Sequence, residues 1–313
     1  MNKDARIFVA GARGLVGSAL CRTLATRGYG RVLAPSRNDV DLRDRRAVER
    51  FFAAERPDYV FMAAAKVGGI VANDTYPADF IRDNLEIQTN VIDAAYRSGT
   101  RKLCFLGSSC IYPRLAPQPL TESSLLTGPL EPTNEWYAVA KIAGIKMCQA
   151  YSRQHGFNAI SVMPTNLYGP GDNFDLQTSH VLPALLRKFH VAKETGAGEV
   201  VVWGSGTPRR EFLYVDDLAD ALCFLMERYD SPDIINVGFG EDVTIAELAR
   251  LVGAIVGFRG ELTFDRSKPD GTPRKLLDVS KCRALGWQAK TPLAHGIRAT
   301  YEWYLEYAAT RVS

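Results

Sequence analysis

Short apolar, β-rich runs alternate with longer segments of helical periodicity through the first half of the chain, and few folds accommodate that order. The runs are Arg6 to Gly11, Arg31 to Ser36, Tyr59 to Ala65, Lys102 to Ser109 and Ala159 to Asn166. Between them lie Val16 to Thr26, Arg46 to Glu55, Phe80 to Ser98 and Ala138 to His155, each with apolar residues spaced for one helical face. Parallel strands cannot be joined by a tight turn, so the alternation predicts parallel strands linked by right-handed helical crossovers. A run such as YVFMAAA, with no polar alternation, suits a sheet covered on both faces. The expected fold class is α/β, with a doubly wound parallel sheet.

After Tyr168 the alternation breaks into GPGDNFDLQTSH, followed by a helical pattern at Val181 to His190 and strand-like VVVW at Val200 to Trp203. A helix at Asp217 to Arg228 and a strand at Ile234 to Gly238 are expected to return to the first sheet. From Thr244 onward, helices mix with a strand near Leu262 to Asp265 and the loop SKPDGTPRK. The expected organisation is a dinucleotide-binding domain at 1–169 and 212–239, interleaved with a smaller α/β substrate domain at 170–211 and 240–313. A chain of 313 residues is long enough for both.

A formal charge of +3, without any block of like charges, gives no footprint for nucleic acid. The N-terminus enters a strand-like run at once, and no stretch approaches the roughly 18 apolar residues of a membrane span. A cytoplasmic protein without membrane partners is therefore expected. Six scattered cysteines, with no C-x-x-C pair, suggest reduced thiols rather than a disulfide framework. His155, His190 and His295 make no metal-ligand spacing with one another or with the cysteines, so no metal is expected.

The first strand runs straight into Gly11-Ala12-Arg13-Gly14-Leu15-Val16-Gly17, and a helical pattern begins immediately. Small residues there permit a tight turn and let the backbone approach a pyrophosphate at a helix N-terminus, which is the chemistry of a Rossmann dinucleotide site. An acidic residue ending the second strand would select NAD, whereas cations accept the 2'-phosphate of NADP. That strand ends Pro35-Ser36-Arg37, so Arg37 and Arg13 point to NADPH, while Asp39 and Asp41 leave dual use open.

Tyr137-Ala138-Val139-Ala140-Lys141 puts Tyr and Lys on one helical face. A phenol has an unperturbed pKa of about 10, and a neighbouring ammonium is one way to make it useful near neutrality. Ser108, at the end of the fourth strand, can bind the same carbonyl oxygen. Cys110 follows two residues later and would share the Ser108 face if the strand continued. A thiol of ordinary pKa about 8.5 can become a base after modest perturbation.

The glycine turn, the strand-end Ser108 and the helical Tyr137 and Lys141, in this order, resemble the short-chain dehydrogenase/reductase superfamily. The run Arg210-Glu211-Phe212-Leu213-Tyr214-Val215-Asp216-Asp217 is similar to a segment of its extended, nucleotide-sugar branch. Longer stretches, AAAKVGGIVANDTYPADF from Ala63, LGSSCIYPRLAPQPLTESSLLTGPLEPTNEWYAVAKIAGIK from Leu106, MPTNLYGPGDNFD from Met163 and KPDGTPRKLLD from Lys268, resemble the GDP-L-fucose synthase family. Ala12 departs from members that carry His at that place.

That resemblance implies a bifunctional 3,5-epimerase and 4-reductase that uses NADPH on GDP-4-keto-6-deoxy-D-mannose, a GDP-linked keto-sugar. It assigns Ser108 and Tyr137 to the carbonyl oxygen, Lys141 to the nicotinamide ribose and to lowering the Tyr137 pKa, and Cys110 and His180 to the proton transfers of epimerisation. It extends the cofactor set to Leu42, Leu106, Gly107, Pro164, Thr165, Asn166, Leu167 and His180, beside Asp41 and the glycine turn. Lys188, Trp203, Arg210, Asp270 and Lys275 are implied contacts to GDP or the sugar. A homodimer is implied too, the helices Phe80 to Ser98 and Ala138 to His155 forming a four-helix bundle with a second copy. Two alternatives stand beside this activity: an epimerase/reductase for another GDP-keto-sugar, such as the GDP-L-colitose precursor, and a non-catalytic NADP-binding regulator.

Overall fold

The computed structural model describes residues 1–176, 178–268 and 270–312. In chain order the strands are β1 (Ile7–Ala10), β2 (Val32–Leu33), β3 (Tyr59–Met62), β4 (Lys102–Leu106), β5 (Ala159–Pro164), β6 (Asn166–Tyr168), β7 (Glu199–Trp203), β8 (Arg209–Tyr214), β9 (Ile234–Val237), β10 (Asp242–Thr244), β11 (Glu261–Asp265) and β12 (Arg274–Lys275). The helices are α1 (Leu15–Thr26), α2 (Arg45–Glu55), α3 (Ile70–Thr75), α4 (Pro77–Arg97), α5 (Glu135–His155), α6 (Val181–Thr195), α7 (Val215–Arg228), α8 (Ile245–Val256), α9 (Ser280–Ala284) and α10 (Leu293–Val312).

Six strands form one sheet in the order β2-β1-β3-β4-β5-β9, every pair parallel. The Ile234–Val237 run does return to this sheet, as its edge strand beside β5. One face packs on α1 and α7 through residues such as Leu20, Leu24, Leu218 and Leu222; the other packs on α2, α4 and α5 through Phe52, Val91, Ile92 and Ile145. Apolar runs without alternation are what two covered faces require. Strand order reverses between β1 and β3, so the C-terminal ends of those strands open a crevice there, where doubly wound sheets bind ligands.

A second core, with Leu186, Phe189, Leu248 and Val252 at its centre, joins α6, α8 and α10 to short strands. β8 is the hub: it pairs antiparallel with β10 and parallel with β6 and β12, while β7 and β11 form a separate parallel pair. The two cores are laced together by β8, and Lys102 ties the first sheet to its cover by donating to the carbonyls of Met226 and Tyr229 at 2.8 and 2.7 Å, at the C-terminal end of α7.

Several boundaries differ from expectation for local reasons. β2 is only two residues long, because Pro35 follows and the Ser36 N–H and hydroxyl are both taken by Asp39, at 2.8 and 2.6 Å. α4 starts at Pro77, whose fixed φ suits a first helical position, and α3 precedes it in a stretch to which the sequence pattern assigns no element. β4 stops at Leu106, and Ser109–Ile111 forms a 3-10 turn, so Ser108 and Cys110 are not neighbours on one strand face. No helix among the described residues is long and apolar enough to cross a membrane.

Candidate active site

The glycine turn closes between β1 and α1. Gly11 has φ +82°, a conformation that disfavours a side chain, and a Cβ there would lie 2.8 Å from the Ala64 backbone. Gly17 lies in the first turn of α1, where a Cβ would enter the Gly11 carbonyl. Gly14 caps α1 without any side-chain bond, so the helix presents uncapped N–H groups at the switch point. Ala12 is buried, Leu15 and Val16 pack on the core beneath, and Arg13 is exposed. These features fit a dinucleotide diphosphate.

The end of β2, where the sequence suggests a 2'-phosphate, favours a cation. Asp39 is spent on Ser36, whose hydroxyl and N–H hold its carboxyl below the ordinary range. Asp41 bonds Arg43 at 2.7 Å and is held at about 2, with Arg37 3.8 Å away. Both acids are therefore satisfied by protein, while the Arg37 side chain stays 69 % exposed. Leu42 packs on the core, its carbonyl accepting from Asn90 at 3.0 Å.

At the ends of β4 and β5 the chemistry gathers. Lys141 is buried, donates to the Leu106 carbonyl at 2.7 Å, and its Nζ stands 5.8 Å from the Tyr137 ring centre. Burial pushes its ammonium down to about 8, a nearby Cys110 opposing the shift. The Ser108 hydroxyl accepts the Cys110 N–H at 3.4 Å and is near enough to the Tyr137 phenol and the Cys110 thiol to lower the pKa of each. Burial raises the Tyr137 phenol, as does Cys110, whereas Ser108 lowers it. Burial outweighs the lowering, so the phenol keeps its proton and is suited to donate it. Cys110 is buried, which raises its thiol, while Lys275, Ser108 and Lys141 pull it back.

His180 caps α6 and is exposed at its edge, yet it stands in a recess dense with protein; that desolvation and the Lys275 charge both lower its pKa. Lys275 therefore faces Cys110 and His180 together. Lys275 and Arg210 interact with one another and with Glu131, a carboxylate that sequence reasoning missed; it bonds Arg114 at 3.2 Å and Thr272 at 3.2 Å. Lys188 lies 5.3 Å from the Trp203 ring centre and Lys268 5.6 Å on, with Trp203 56 % exposed as a platform. Asp270 accepts from the Ser205 N–H at 2.6 Å. Gly107 donates to the Val162 carbonyl at 2.9 Å, keeping the end of β4 beside β5 and Pro164. Thr165 and Asn166 reach the Glu211 carbonyl at 3.3 and 2.8 Å, and Leu167 packs on the core, so these residues knit β5 and β6 to β8. All six cysteines are free thiols.

A doubly wound sheet with an uncapped glycine turn at its switch point and a Ser-Tyr-Lys cluster at its strand ends defines a nicotinamide-dependent enzyme of the short-chain dehydrogenase/reductase kind. Residues 7–238 match the NAD dependent epimerase/dehydratase family. A probable GDP-L-fucose synthase 1 of rice (Oryza sativa subsp. japonica) is 64 % identical over 97 % of this chain and 93 % of its own length, against 39 % for a GDP-L-colitose synthase of Yersinia pseudotuberculosis, over 96 % and 98 %. A GDP-L-fucose synthetase structure from Naegleria fowleri bound to NADP superimposes with a TM-score of 0.91 at 33 % identity, covering 99 % of this chain and 97 % of that one. The chain belongs to the NAD dependent epimerase/dehydratase family and, within it, to the GDP-L-fucose synthases.

Proposed function

We propose that this protein converts GDP-4-keto-6-deoxy-D-mannose to GDP-L-fucose in two activities at one site, a 3,5-epimerisation and an NADPH-dependent reduction at carbon 4. The observation that carries this is the gathering of Ser108, Tyr137, Cys110 and Lys141 at one strand end: the Ser108 hydroxyl accepts the Cys110 N–H at 3.4 Å and lowers the pKa of both the Tyr137 phenol and the Cys110 thiol. A pure reductase needs the phenol alone. A non-catalytic NADP-binding regulator needs neither.

Carbons 3 and 5 flank the ketone, so their hydrogens become acidic when its oxygen is held by donors. Ser108 and Tyr137 supply those donors. Cys110, as thiolate, takes the proton from one face, and the electron pair moves to the oxygen. His180, protonated, returns a proton to carbon from the other face and inverts it, and solvent then resets both groups. Lys275 assists each half: its charge makes the thiolate more available and the imidazolium a stronger acid. NADPH, when bound at the glycine turn with Arg13 and Arg37 at its 2'-phosphate, supplies the hydride for carbon 4. Tyr137 then gives its proton to the oxygen. Lys188, Trp203, Arg210 and Asp270 line the approach for the GDP part, where cations suit a diphosphate and an indole suits a base.

The enzyme acts in the cytoplasm, where a catalytic thiol stays reduced. It works as a homodimer in which α4 and α5 form a four-helix bundle with a second copy; exposed Trp136 and Val139 on α5 support that contact.

The test is NMR of products formed with GDP-4-keto-6-deoxy-D-mannose and NADPH in deuterated water. The parent should yield GDP-L-fucose deuterated at carbons 3 and 5. Cys110→Ser should still oxidise NADPH but give unepimerised product, and His180→Gln should wash deuterium into the ring faster than fucose forms. Parental GDP-L-fucose from Cys110→Ser removes the thiol from the mechanism.

A further inference from the structure

The segment Ala63 to Phe80 contributes no group to the chemistry above, yet its Gly68-Gly69 turn lies against the residues that deliver His180. The Gly69 N–H donates to the Thr178 carbonyl at 2.9 Å. Gly69 has φ −66° and ψ 179°, a conformation any residue adopts, so backbone freedom does not explain a glycine there. Contact does. A Cβ on Gly69 would lie 2.8 Å from the Ser179 carbonyl oxygen, a backbone atom that cannot retreat without moving the next residue, His180.

The turn is itself pinned. Asn73, 6 % exposed, donates its amide to the carbonyls of Gly68 and Gly69 at 2.7 and 3.0 Å. Upstream, Lys66 exchanges two bonds with the Asn84 side chain, at 2.9 and 3.0 Å, and its ammonium pairs with Asp79 and Asp83. Toward the other catalytic group, a Cβ on Gly68 would touch the Phe80 ring at 3.1 Å, and that ring meets Tyr137 edge-on with centres 6.4 Å apart. α3 also packs on Pro132–Asn134, the turn that launches α5. One strap thus braces the His180 segment and the start of the Tyr137 helix.

We infer that Gly69 and Asn73 are positioning residues for epimerisation, fixing where His180 stands relative to Tyr137 and Cys110. This rests on the assignment of His180 as the opposing acid. Proton return to carbon requires closer placement than binding does, and a displacement near 1 Å costs such a step up to about 10²-fold. Reduction, which runs through Tyr137, Ser108 and Lys141, does not use His180.

The experiment compares Gly69→Ala, Asn73→Asp and His180→Gln with the parent, measuring melting temperature, NADPH affinity, NADPH oxidation and the share of product that is GDP-L-fucose. Asp is isosteric with Asn but cannot donate to the two carbonyls. Both strap variants should keep NADPH affinity and NADPH oxidation within about threefold while the fucose share falls at least about tenfold, as in His180→Gln. A parental fucose share in both strap variants, with His180→Gln impaired, overturns the inference alone. A parental share in His180→Gln overturns the His180 assignment and the inference with it. Joint loss of melting temperature, NADPH binding and all turnover in both strap variants makes the strap merely structural and also overturns it.

Discussion

In the proposed mechanism one buried residue, Lys141, sets the pH range of the reduction. Among the described residues its ammonium has a single acceptor, the Leu106 carbonyl, and burial pushes it down to about 8. The sign follows directly: a lysine with a lowered pKa is charged below that value and neutral above it. The charge is wanted beside a phenol that gives up its proton, because the phenolate left behind is stabilised only while Lys141 is cationic. Single-turnover hydride transfer at saturating NADPH should therefore fall as pH rises through about 8. Deuterium wash-in should instead rise with pH above the ordinary thiol range, since its proposed base, the Cys110 thiol, is raised by burial. Lys141→Arg, whose guanidinium stays charged throughout, should abolish the alkaline fall even if the rate is lower. A parent profile flat to high pH would show that Lys141 charge is not needed.

Among the elements, α1 and its glycine turn were legible because every level of the sequence agreed: an apolar run, small residues at fixed spacing, then an amphipathic helix. The long periodic helices α4 and α5 were legible for the same reason. β8, β10 and β12 were not. RREFLY and its partners are short, partly polar, and paired with residues far along the chain, so no local pattern announces them. The same limit hid Glu131, which meets Arg210 and Lys275 only through tertiary structure. The relation of Cys110 to Ser108 was misjudged because the strand ends at Leu106 and a 3-10 turn takes over; the two still meet, through the Ser108 hydroxyl rather than a shared strand face. The glycine turn also carries a prediction at this scale. Gly17→Ala would drive a methyl into the Gly11 carbonyl, so α1 must shift away from the turn at a cost of roughly 1–3 kcal/mol. If the displaced N–H groups are those proposed to hold the cofactor diphosphate, NADPH affinity measured by fluorescence titration should drop more than tenfold, on the order of 1.4 kcal/mol or more. Unchanged affinity would mean the diphosphate binds elsewhere.

At the scale of the whole molecule, the two cores must hold a fixed relation, because Cys110 hangs from the first sheet and Lys275 from the second. Glu211 sits at that seam, 0 % exposed. Its carboxylate accepts from the Gly240 N–H at 2.7 Å and from the Leu277 N–H at 3.0 Å, and its backbone carbonyl accepts from Thr165 and Asn166. Burial raises its pKa while those backbone donors pull it back. The residue after β12 is Leu276, whose carbonyl accepts from the Leu120 N–H at 2.7 Å, so the grip on Leu277 also fixes the loop beyond Cys110. Glu211→Gln keeps the shape but turns one oxygen into a donor facing a donor. One buried bond is lost and two N–H groups are left opposed, which costs roughly 2–3 kcal/mol. At about 2–4 °C per kcal/mol, melting should fall by roughly 5–10 °C in calorimetry. Loosening the seam moves Lys275 from Cys110 but leaves Tyr137, Ser108 and Lys141 together on the first sheet. Deuterium wash-in should therefore fall further than NADPH oxidation. A variant that melts within a degree of the parent, with both rates unchanged, would place the coupling between the two cores in residues other than Glu211.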